Sequence, residues 1–217
     1  MSTDLARFLA TQTPLASELD VWGEGTLPLR ITAYWGQEMP PPAYVTSVRA
    51  MVFRAGEVLV LRNADGPHVL PGGRREVGES LTATLCRELG EETGWRPCAL
   101  QPLGFCRLQH LSPRPAAYPY PYPDFCWLIY RAEAGAFDAA ARLADDYEQD
   151  ARFYPPAAAL ALPLGPVQRA LLERAVNDVP LHVRPYVLNG SVGSRNLLGT
   201  ARAKDERVRR DESRGSG

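Results

Sequence analysis

The sequence has no marked excess of either charge. Its 217 residues carry a formal net charge of −1, so nothing favours a nucleic acid or an anionic membrane as a stable partner. Lysine is almost missing, because Lys204 is the single one and arginine supplies the other positive side chains. Such a bias is more often a property of the genome than of a binding site. It assigns no arginine to phosphate binding on residue type alone.

Cysteine and long apolar runs are also scarce. The four cysteines lack the paired spacing of a zinc site, so we expect buried, reduced thiols at Cys86, Cys98, Cys106 and Cys126. No apolar run approaches the ~18 residues that a membrane-spanning helix needs. The first residues lack the basic and apolar regions of a signal peptide. These absences predict a cytoplasmic protein without a membrane partner.

A segment free of proline and rich in leucine is the most informative part of the chain. It runs from Leu81 to Thr93, between Ser80, a residue type favoured at helix N-caps, and Gly94, which suits a left-handed C-terminal cap. Leucines recur at four-residue spacing and define one apolar face: Leu81, Leu85 and Leu89. We therefore predict an amphipathic helix.

Three carboxylates crowd one side of this predicted helix. At roughly 100° per residue, Glu88 and Glu92 fall beside the leucine face, and Glu91 lies one step further round the helix. Like charges at three- and four-residue spacing destabilise a helix by a few tenths of a kcal/mol per pair. A divalent cation with oxygen ligands would relieve that repulsion. The alternative is a solvated acidic patch on a surface helix, which is the commoner meaning of such a short acidic pattern.

The loop before the helix favours the cation. It contains Gly72 and Gly73, which give the backbone unusual freedom and allow a main-chain carbonyl to approach an ion or a phosphate closely. Further on, Glu79 can reach Arg87 and hold the loop to the helix. Arg87 could instead bind phosphate directly, but the contact with Glu79 is the favoured interpretation.

Together these residues resemble the Nudix box. The pattern of Gly, five residues, Glu, seven residues and Arg-Glu-aliphatic-x-Glu-Glu-x-Gly-aliphatic is matched from Gly73 to Trp95. The one departure is Trp95, where the family usually has a smaller aliphatic residue. The resemblance covers the box and, less specifically, residues 43–160. It implies an α/β fold, a Nudix-type α/β/α sandwich with a mixed β-sheet, and hydrolysis of a nucleoside diphosphate linked to another moiety.

The resemblance also implies roles for the residues of the box. Mg²⁺, for which Mn²⁺ substitutes, would be held by Glu91 and Glu92 as the firmest ligands and by the carbonyl of Gly73. Glu88 would act as the base or as a further ligand. The remaining matched residues would orient or support the helix and the loop: Arg87, Glu79, Gly72 and Gly94.

Two features downstream of the box are candidate substrate contacts. Residues 112–124 alternate tyrosine and proline, which favours a stiff extended loop. Tyr118 and Tyr120 would either stack on a nucleobase at the mouth of the site or cover the neighbouring surface. Glu148 is a candidate for a base or a further ion ligand, because some family members have an acid downstream of the box. The alternative for Glu148 is a solvated acidic loop.

The remaining pattern predicts the other elements and the division of the chain. The predicted strands are Leu29–Trp35, Tyr44–Arg54, Glu57–Arg62 (joined to the preceding strand in a hairpin), His68–Leu70, Ala99–Leu111, Phe125–Ala132 and Ala151–Tyr154, and the predicted helices are 4–10, Phe137–Tyr147 and Val167–Val176. We expect an N-terminal extension (1–42), a Nudix domain (43–180) and a C-terminal tail (181–217) that is disordered from about residue 189. A homodimer is left open, since an N-terminal strand joins dimer formation in several Nudix proteins.

Two functions from different classes follow. The favoured one is a metal-dependent pyrophosphohydrolase with a small nucleotide substrate, in the class of a nucleotide sugar, ADP-ribose or a nucleoside triphosphate. The alternative is a catalytically silent sensor or regulator that uses the same fold to bind a nucleotide. The box retains every carboxylate, which favours the enzyme.

Overall fold

A computed structural model describes residues 3–22, 25–116, 118–143 and 150–178, and the backbone of 186–187. The helices are α1 (Thr3–Ala10), α2 (Leu81–Thr93), α3 (Pro156–Leu160) and α4 (Pro166–Asn177), with a 3₁₀ turn at Pro42–Tyr44. The strands are β1 (Pro14–Trp22), β2 (Leu27–Trp35), β3 (Val45–Arg54), β4 (Glu57–Asn63), β5 (Gly66–His68), β6 (Gly72–Arg74), β7 (Trp95–His110), β8 (Asp124–Phe137), β9 (Asp150–Tyr154) and β10 (Tyr186–Val187).

The strands form one mixed sheet. Its main path runs β1-β2-β7-β8-β3-β4-β5, while β6 pairs with β3, β9 with β4 and β10 with β7. The pair β3–β8 is parallel and the other pairs are antiparallel. On this path β3 follows β8, so β3 lies inside the sheet and not at its edge. Strand β6 pairs with β3 there.

Both faces of the sheet are covered by helices. Along β3, Val48 and Val52 pack in the core that contains α1 and α2, whereas Met51 and Phe53 pack in the core that contains α3 and α4. This alternation follows from the period of two along a strand. The predicted α/β/α sandwich with a mixed sheet is confirmed.

The hairpin between β3 and β4 is confirmed as well. Ala55 and Gly56 have φ of 49° and 84°, so both central residues occupy the left-handed region that two-residue hairpin turns require. Gly56 adopts it without strain, and Ala55 is the one non-glycine residue with positive φ in the described part of the chain. The turn brings Arg54 opposite Glu57.

The N-terminal segment extends the same sheet. The prediction at Leu29–Trp35 corresponds to β2, which pairs with residues 104–110 of β7. Strand β1 was not predicted, because its alternation is inverted: Leu19 and Val21 are exposed, while Glu18 turns inward. Glu18 accepts a hydrogen bond from the backbone N–H of Val167, in the first turn of α4, at 3.0 Å. The contact of a half-buried acid with a distant helix cannot be inferred from a hydrophobic pattern.

The predicted helix at Phe137–Tyr147 is wrong over its described part. Phe137 ends β8 opposite Trp95, and residues 138–143 form turns. Within the segment, the N–H of Ala141 closes a single turn on the carbonyl of Asp138 at 3.1 Å. The ends of the segment bond to the end of α2, since Asp138 donates to the carbonyl of Gly94 at 2.8 Å and Leu143 to that of Glu91 at 2.9 Å. Tertiary contacts thus outweigh the helix propensity of the alanines.

Three smaller differences concern local structure. The predicted strand at His68–Leu70 is displaced, because β5 ends at His68 and the next two residues are buried outside the ladder. Gly72–Arg74, expected as a loop, is strand β6. The four cysteines are free as predicted, but Cys98 is exposed and Cys86 half-buried. Among the described residues, no helix has the length and apolar character needed to cross a membrane.

Replacing Glu18 by Ala should lower the free energy of unfolding by about 1 kcal/mol, the usual cost of removing an acceptor from a helix N-terminus. Chemical denaturation of the two proteins measures the difference. Glu173→Ala, at an exposed position of α4, is the matched control and should stay within about 0.5 kcal/mol. Equal stability of Glu18→Ala and the wild type would show that β1 does not hold α4.

Candidate active site

Helix α2 forms as its sequence predicts. The side chain of Ser80 accepts a hydrogen bond from the N–H of Ala83 at 3.1 Å, and Gly94 ends the helix with φ of 76° while donating to the carbonyl of Gly90. Leu85 and Leu89 are fully buried against the sheet. With this face fixed, the acidic residues beside it are directed toward β6.

Arg87 gathers the carboxylates of this region. Its guanidinium bonds Glu79 through Nε at 2.8 Å and through Nη2 at 3.0 Å. Its Nη1 contacts Glu88 at 2.9 Å and Glu91 at 3.4 Å. The contact predicted between Glu79 and Arg87 is therefore present. Two carboxylates of α2 converge on the same cationic group, which relieves the repulsion between them.

The ionic contacts shift the titration of both partners. The hydrogen bond from Arg87, ahead of those from the backbone of Glu76 and from Thr84, lowers the pKa of Glu79 from 4.5 to about 2, against the opposing effect of burial. The same bond with Glu79 is the largest cause that raises the pKa of Arg87. Both groups are charged throughout the physiological range, and the pair holds the loop against the helix.

The segment before α2 is tethered residue by residue. Four contacts hold it: the N–H of Val69 donates to the Oε1 of Gln168 (2.9 Å), Arg49 Nη1 donates to the carbonyl of Leu70 (3.0 Å), the N–H of Ala50 donates to the carbonyl of Pro71 (2.9 Å), and the N–H of Gly72 donates to the Oε2 of Glu92 (2.8 Å). Helix α4, strand β3 and helix α2 all take part. The position of this segment relative to α2 is therefore defined by three separate elements.

Both glycines of this segment are required by close approach. A Cβ on Gly72 would lie 2.3 Å from the carbonyl oxygen of Val48, and φ at Gly72 is 131°. A Cβ on Gly73 would lie 2.4 Å from the carboxyl carbon of Glu88. The backbone at Gly73 thus forms a cradle in which the Glu88 carboxylate lies, and a side chain at position 73 would fill that space.

The donor set suits a divalent hard cation. Carboxylate and carbonyl oxygens are the ligands that Mg²⁺ prefers, and the cradle at Gly73 leaves the Glu88 carboxylate room beside the backbone. In the described residues, however, no group of three or more His, Cys, Asp or Glu side chains is arranged closely enough to hold a metal ion. Glu88 and Glu91 face Arg87, and Glu92 faces the backbone of Gly72. The chemistry of the residues fits the ion, but a complete cage is not formed.

A model of the NUDIX domain matches residues 43–175. The chain belongs to the Nudix family. The match covers more than half of the chain, and it confirms both the recognition and the enzyme class, a Nudix-type pyrophosphohydrolase. It ends within α4, so the contact of Gln168 with Val69 lies inside the Nudix domain.

Solved structures of Nudix proteins are similar at low identity. The pyrophosphohydrolase BsRppH of Bacillus subtilis is 19% identical with a TM-score of 0.43, over 64% of this chain and 77% of its own. A MutT protein of Bacillus halodurans is 19% identical with a TM-score of 0.45, over 60% and 80%. A MutT Nudix hydrolase of Burkholderia pseudomallei is 22% identical with a TM-score of 0.41, over 60% and 95%. Similarity at this level says nothing about the substrate.

The two predicted tyrosine contacts occupy different positions in this Nudix domain. Tyr118 is 7% exposed, and its hydroxyl lies 2.8 Å from Nε2 of His110, whose pKa is lowered by burial. It offers no free ring face and is a packing residue of the loop. Tyr120 is partly exposed and accepts a hydrogen bond from Nη1 of Arg74 at 2.6 Å, with the guanidinium of Arg74 also 4.2 Å from the ring centroid.

Arg74 is a residue of the candidate site that the sequence analysis did not identify. It follows Gly73 in β6, its carbonyl accepts a hydrogen bond from Arg87 at 3.2 Å, and its side chain contacts Tyr120. Its position inside the box was the available signal. Because arginine supplies nearly all the positive charge of this sequence, the residue type alone did not indicate a role in binding. Glu148, the predicted downstream acid, lies outside the described residues.

A second missed group lies on the α4 side of the sheet. The guanidinium of Arg49 is 4.3 Å from the ring of Trp127, and Trp127 stacks on Trp22 with centroids 5.7 Å apart. Trp22 ends β1, outside the matched domain, and Arg49 holds the carbonyl of Leu70. These contacts connect the N-terminal extension to the segment before α2. Their long sequence separation left no signal in the local pattern.

The Glu79→Gln substitution should destabilise the protein by about 1–3 kcal/mol above pH 5, because Arg87 would lose a charged acceptor in a half-buried position. Since the folded pKa of Glu79 is about 2 and its ordinary value 4.5, the ionised group stabilises the fold above pH 4.5, and this contribution is lost as the pH falls toward 2. The difference between variant and wild type should therefore shrink over that window.

Denaturation in a metal-free buffer at a series of pH values measures this difference. Glu76→Gln, in the same loop, is the matched control, since only the backbone of Glu76 contacts Glu79. A difference that is independent of pH between 6 and 2 would contradict the assignment.

Proposed function

We propose that this protein is a metal-dependent hydrolase that cleaves the pyrophosphate linkage of a nucleoside diphosphate joined to another moiety. The observation that carries the proposal is the position of α2. The carboxylates of Glu92 and Glu88 lie beside Gly72 and Gly73, and Arg87, held by Glu79, contacts Glu88 and Glu91. Pyrophosphate hydrolysis needs positioning and compensation of phosphoryl charge, more than covalent chemistry by the protein. The substrate is a small nucleotide of the nucleotide sugar, ADP-ribose or nucleoside triphosphate class.

The ion of this site is Mg²⁺, with Mn²⁺ as a substitute. Glu88, Glu91, Glu92 and the carbonyl of Gly73 would hold it. When bound, such an ion compensates charge on the phosphoryl oxygens and lowers the pKa of a bound water. The hard oxygen donors support this choice of metal over a soft one.

Three side chains near this ion have separate roles. Glu92 fixes the N–H of Gly72 and with it the direction of the neighbouring carbonyl groups. Glu88 lies against Gly73 with 13% of its side chain exposed, and we assign it as the general base or a further ligand. Arg87 is a positioning residue, because its two bonds to Glu79 direct the guanidinium toward Glu88 and Glu91.

Substrate recognition is assigned to the partly exposed pair of Arg74 and Tyr120. Arg74 carries positive charge next to Gly73, and Tyr120 presents an aromatic ring near the same strand. Such a pair suits a phosphate with an attached planar base. Tyr118 holds the loop in place through the hydrogen bond between its hydroxyl and His110. It affects recognition only through Tyr120, whose ring contacts that of Tyr118 edge-on at 5.5 Å.

The domain boundaries, the partners and the location in the cell remain proposals. Residues 43–180 form the hydrolase domain, 1–42 an N-terminal extension that adds β1 and β2 to the sheet, and 181–217 a C-terminal tail. Cytoplasmic location and the open question of a homodimer stay predictions from the sequence.

Wild-type protein should release mononucleotide or phosphate from at least one compound of a panel, in the presence of Mg²⁺ or Mn²⁺. The panel contains ADP-ribose, NADH, nucleotide sugars, dinucleoside polyphosphates, coenzyme A and normal and oxidised deoxynucleoside triphosphates. Glu92→Gln should lower kcat by roughly 10²–10³-fold, because the substitution removes a proposed ligand and weakens the contact with Gly72. Glu173→Gln, far from the box on α4, should leave the rate unchanged.

Two results would count against the enzyme. Turnover that is unaffected by Glu92→Gln would show that the reaction takes place at another site. Binding of metal and nucleotide that raises the melting temperature without any turnover would favour the sensor that uses the same fold.

A further inference from the structure

A groove lies at the end of the sheet opposite the Gly72–Gly73 segment. Its volume is about 500 Å³, and it is lined by Arg54, Glu57, Trp95, Phe137, Ala151, Arg152 and Phe153. Gly72 pairs with Arg49 in β3, and Arg54 is five residues further along that strand, or roughly 16 Å away at the rise of an extended chain. None of the lining residues belongs to the proposed catalytic set.

The walls of the groove are aromatic. The ring of Trp95 lies 5.0 Å from that of Phe137 and meets Phe153 edge-on at 5.4 Å. Phe137 is 55% exposed, so much of a large apolar ring faces solvent. The ring packs directly on Gly94, since a Cβ there would lie 2.7 Å from Cε2 of Phe137. The groove thus keeps an aromatic face open to solvent in a defined place.

Positive charge lies over the same rings. The guanidinium of Arg54 is 4.2 Å from the Phe153 ring centroid and 4.8 Å from that of Trp95. Within the described ranges, no carboxylate forms an ion pair with Arg54, whereas Arg152 is paired with Asp150 at 2.7 Å. The charge of Arg54 is therefore positioned by aromatic contacts. Glu57, which also lines the groove and lies opposite Arg54 in the β3–β4 pairing, forms no ion pair with it.

We propose that this groove is a second binding site, for a nucleoside monophosphate, with the base on Phe137 and Trp95 and the phosphate at Arg54. Its volume lies in the range of sites for small molecules, and a planar ring joined to an anion matches stacking faces beside a guanidinium. The choice of a nucleotide among such ligands rests on the proposed function, since cleavage of a nucleoside diphosphate linkage releases a nucleoside monophosphate.

The site also contacts the helix that carries the acids. Strand β8 ends at Phe137, and the next residues bond the carbonyls of Gly94 and Glu91. A nucleotide on Phe137 would thus lie next to the backbone that ends α2. This placement makes the groove a site where product could be sensed by the enzyme without entering the catalytic centre. It also gives a reason for Trp95 at a position where the Nudix pattern usually has a smaller side chain.

Titration of the full-length protein with AMP or UMP, followed by NMR of the indole N–H groups, tests the proposal. EDTA is present, so that no metal-bound nucleotide contributes, and the local Trp95 signal separates this groove from the Arg74–Tyr120 pair of the catalytic site. The Trp95 signal, assigned with Trp95→Phe, should shift in a saturable way. Arg54→Gln should weaken the affinity about 10-fold or more, and Phe137→Leu, at an exposed position, should weaken it too. Arg30→Gln, an exposed arginine of β2 outside the groove, should bind like the wild type.

Adenosine and inorganic phosphate, each alone, should bind more weakly than AMP. The proposal is overturned if the Trp95 signal does not move up to roughly 10 mM AMP, well above the 1 mM dissociation constant of a weak complex. It is equally overturned if Arg54→Gln and Phe137→Leu, shown to be folded by their spectra, bind AMP as tightly as the wild type, or if phosphate alone matches AMP. Hydrolysis, measured separately with metal, then fails or succeeds independently of this binding.

Discussion

The ionic contacts of Arg87 are the constraint on which the site depends. Glu79 holds the guanidinium from the loop, and the other edge of the same group faces Glu88 and Glu91 on α2. Without this positive charge, carboxylates three and four residues apart would repel each other beside a buried leucine face. The pKa of Glu79, about 2, shows how strongly the pair favours the charged forms. The acids are therefore kept close together by a cationic group of the protein itself.

The rest of the fold presents a backbone to these acids. In the sheet, β3 pairs with β6 and so orders Gly72 and Gly73. On the α4 side, Gln168 accepts a hydrogen bond from the N–H of Val69, just before these glycines. Glycine is the residue that permits this approach, because a Cβ at either position would enter the space of Val48 or Glu88. The arrangement of acids and glycines is thus assembled from both layers of helices and from the centre of the sheet. The two layers are needed for position as much as for stability.

How far the sequence predicts this structure depends on the range of the interactions. Helix α2, its two caps and the Glu79–Arg87 contact follow from local patterns, and so does the membership of the Nudix family. Strand β1 and the turns after Phe137 do not, because Glu18 serves α4, which is distant in sequence, and residues 138–143 bond to the end of α2. The partnership of Arg74 with Tyr120, and the burial of Tyr118 against His110, likewise depend on where a proline-rich loop folds back.

The central claim is that the carboxylates of α2 bind a divalent ion, and electron paramagnetic resonance of Mn²⁺ tests it most directly. In a titration without substrate, the signal of free Mn²⁺ should fall as the ion binds to the wild-type protein. A double variant, Glu91→Gln with Glu92→Gln, should leave most of the added Mn²⁺ free, while its far-ultraviolet circular dichroism stays that of the folded protein. If the folded double variant bound as much Mn²⁺ as the wild type, the ion would lie elsewhere and the account of the active site would be wrong.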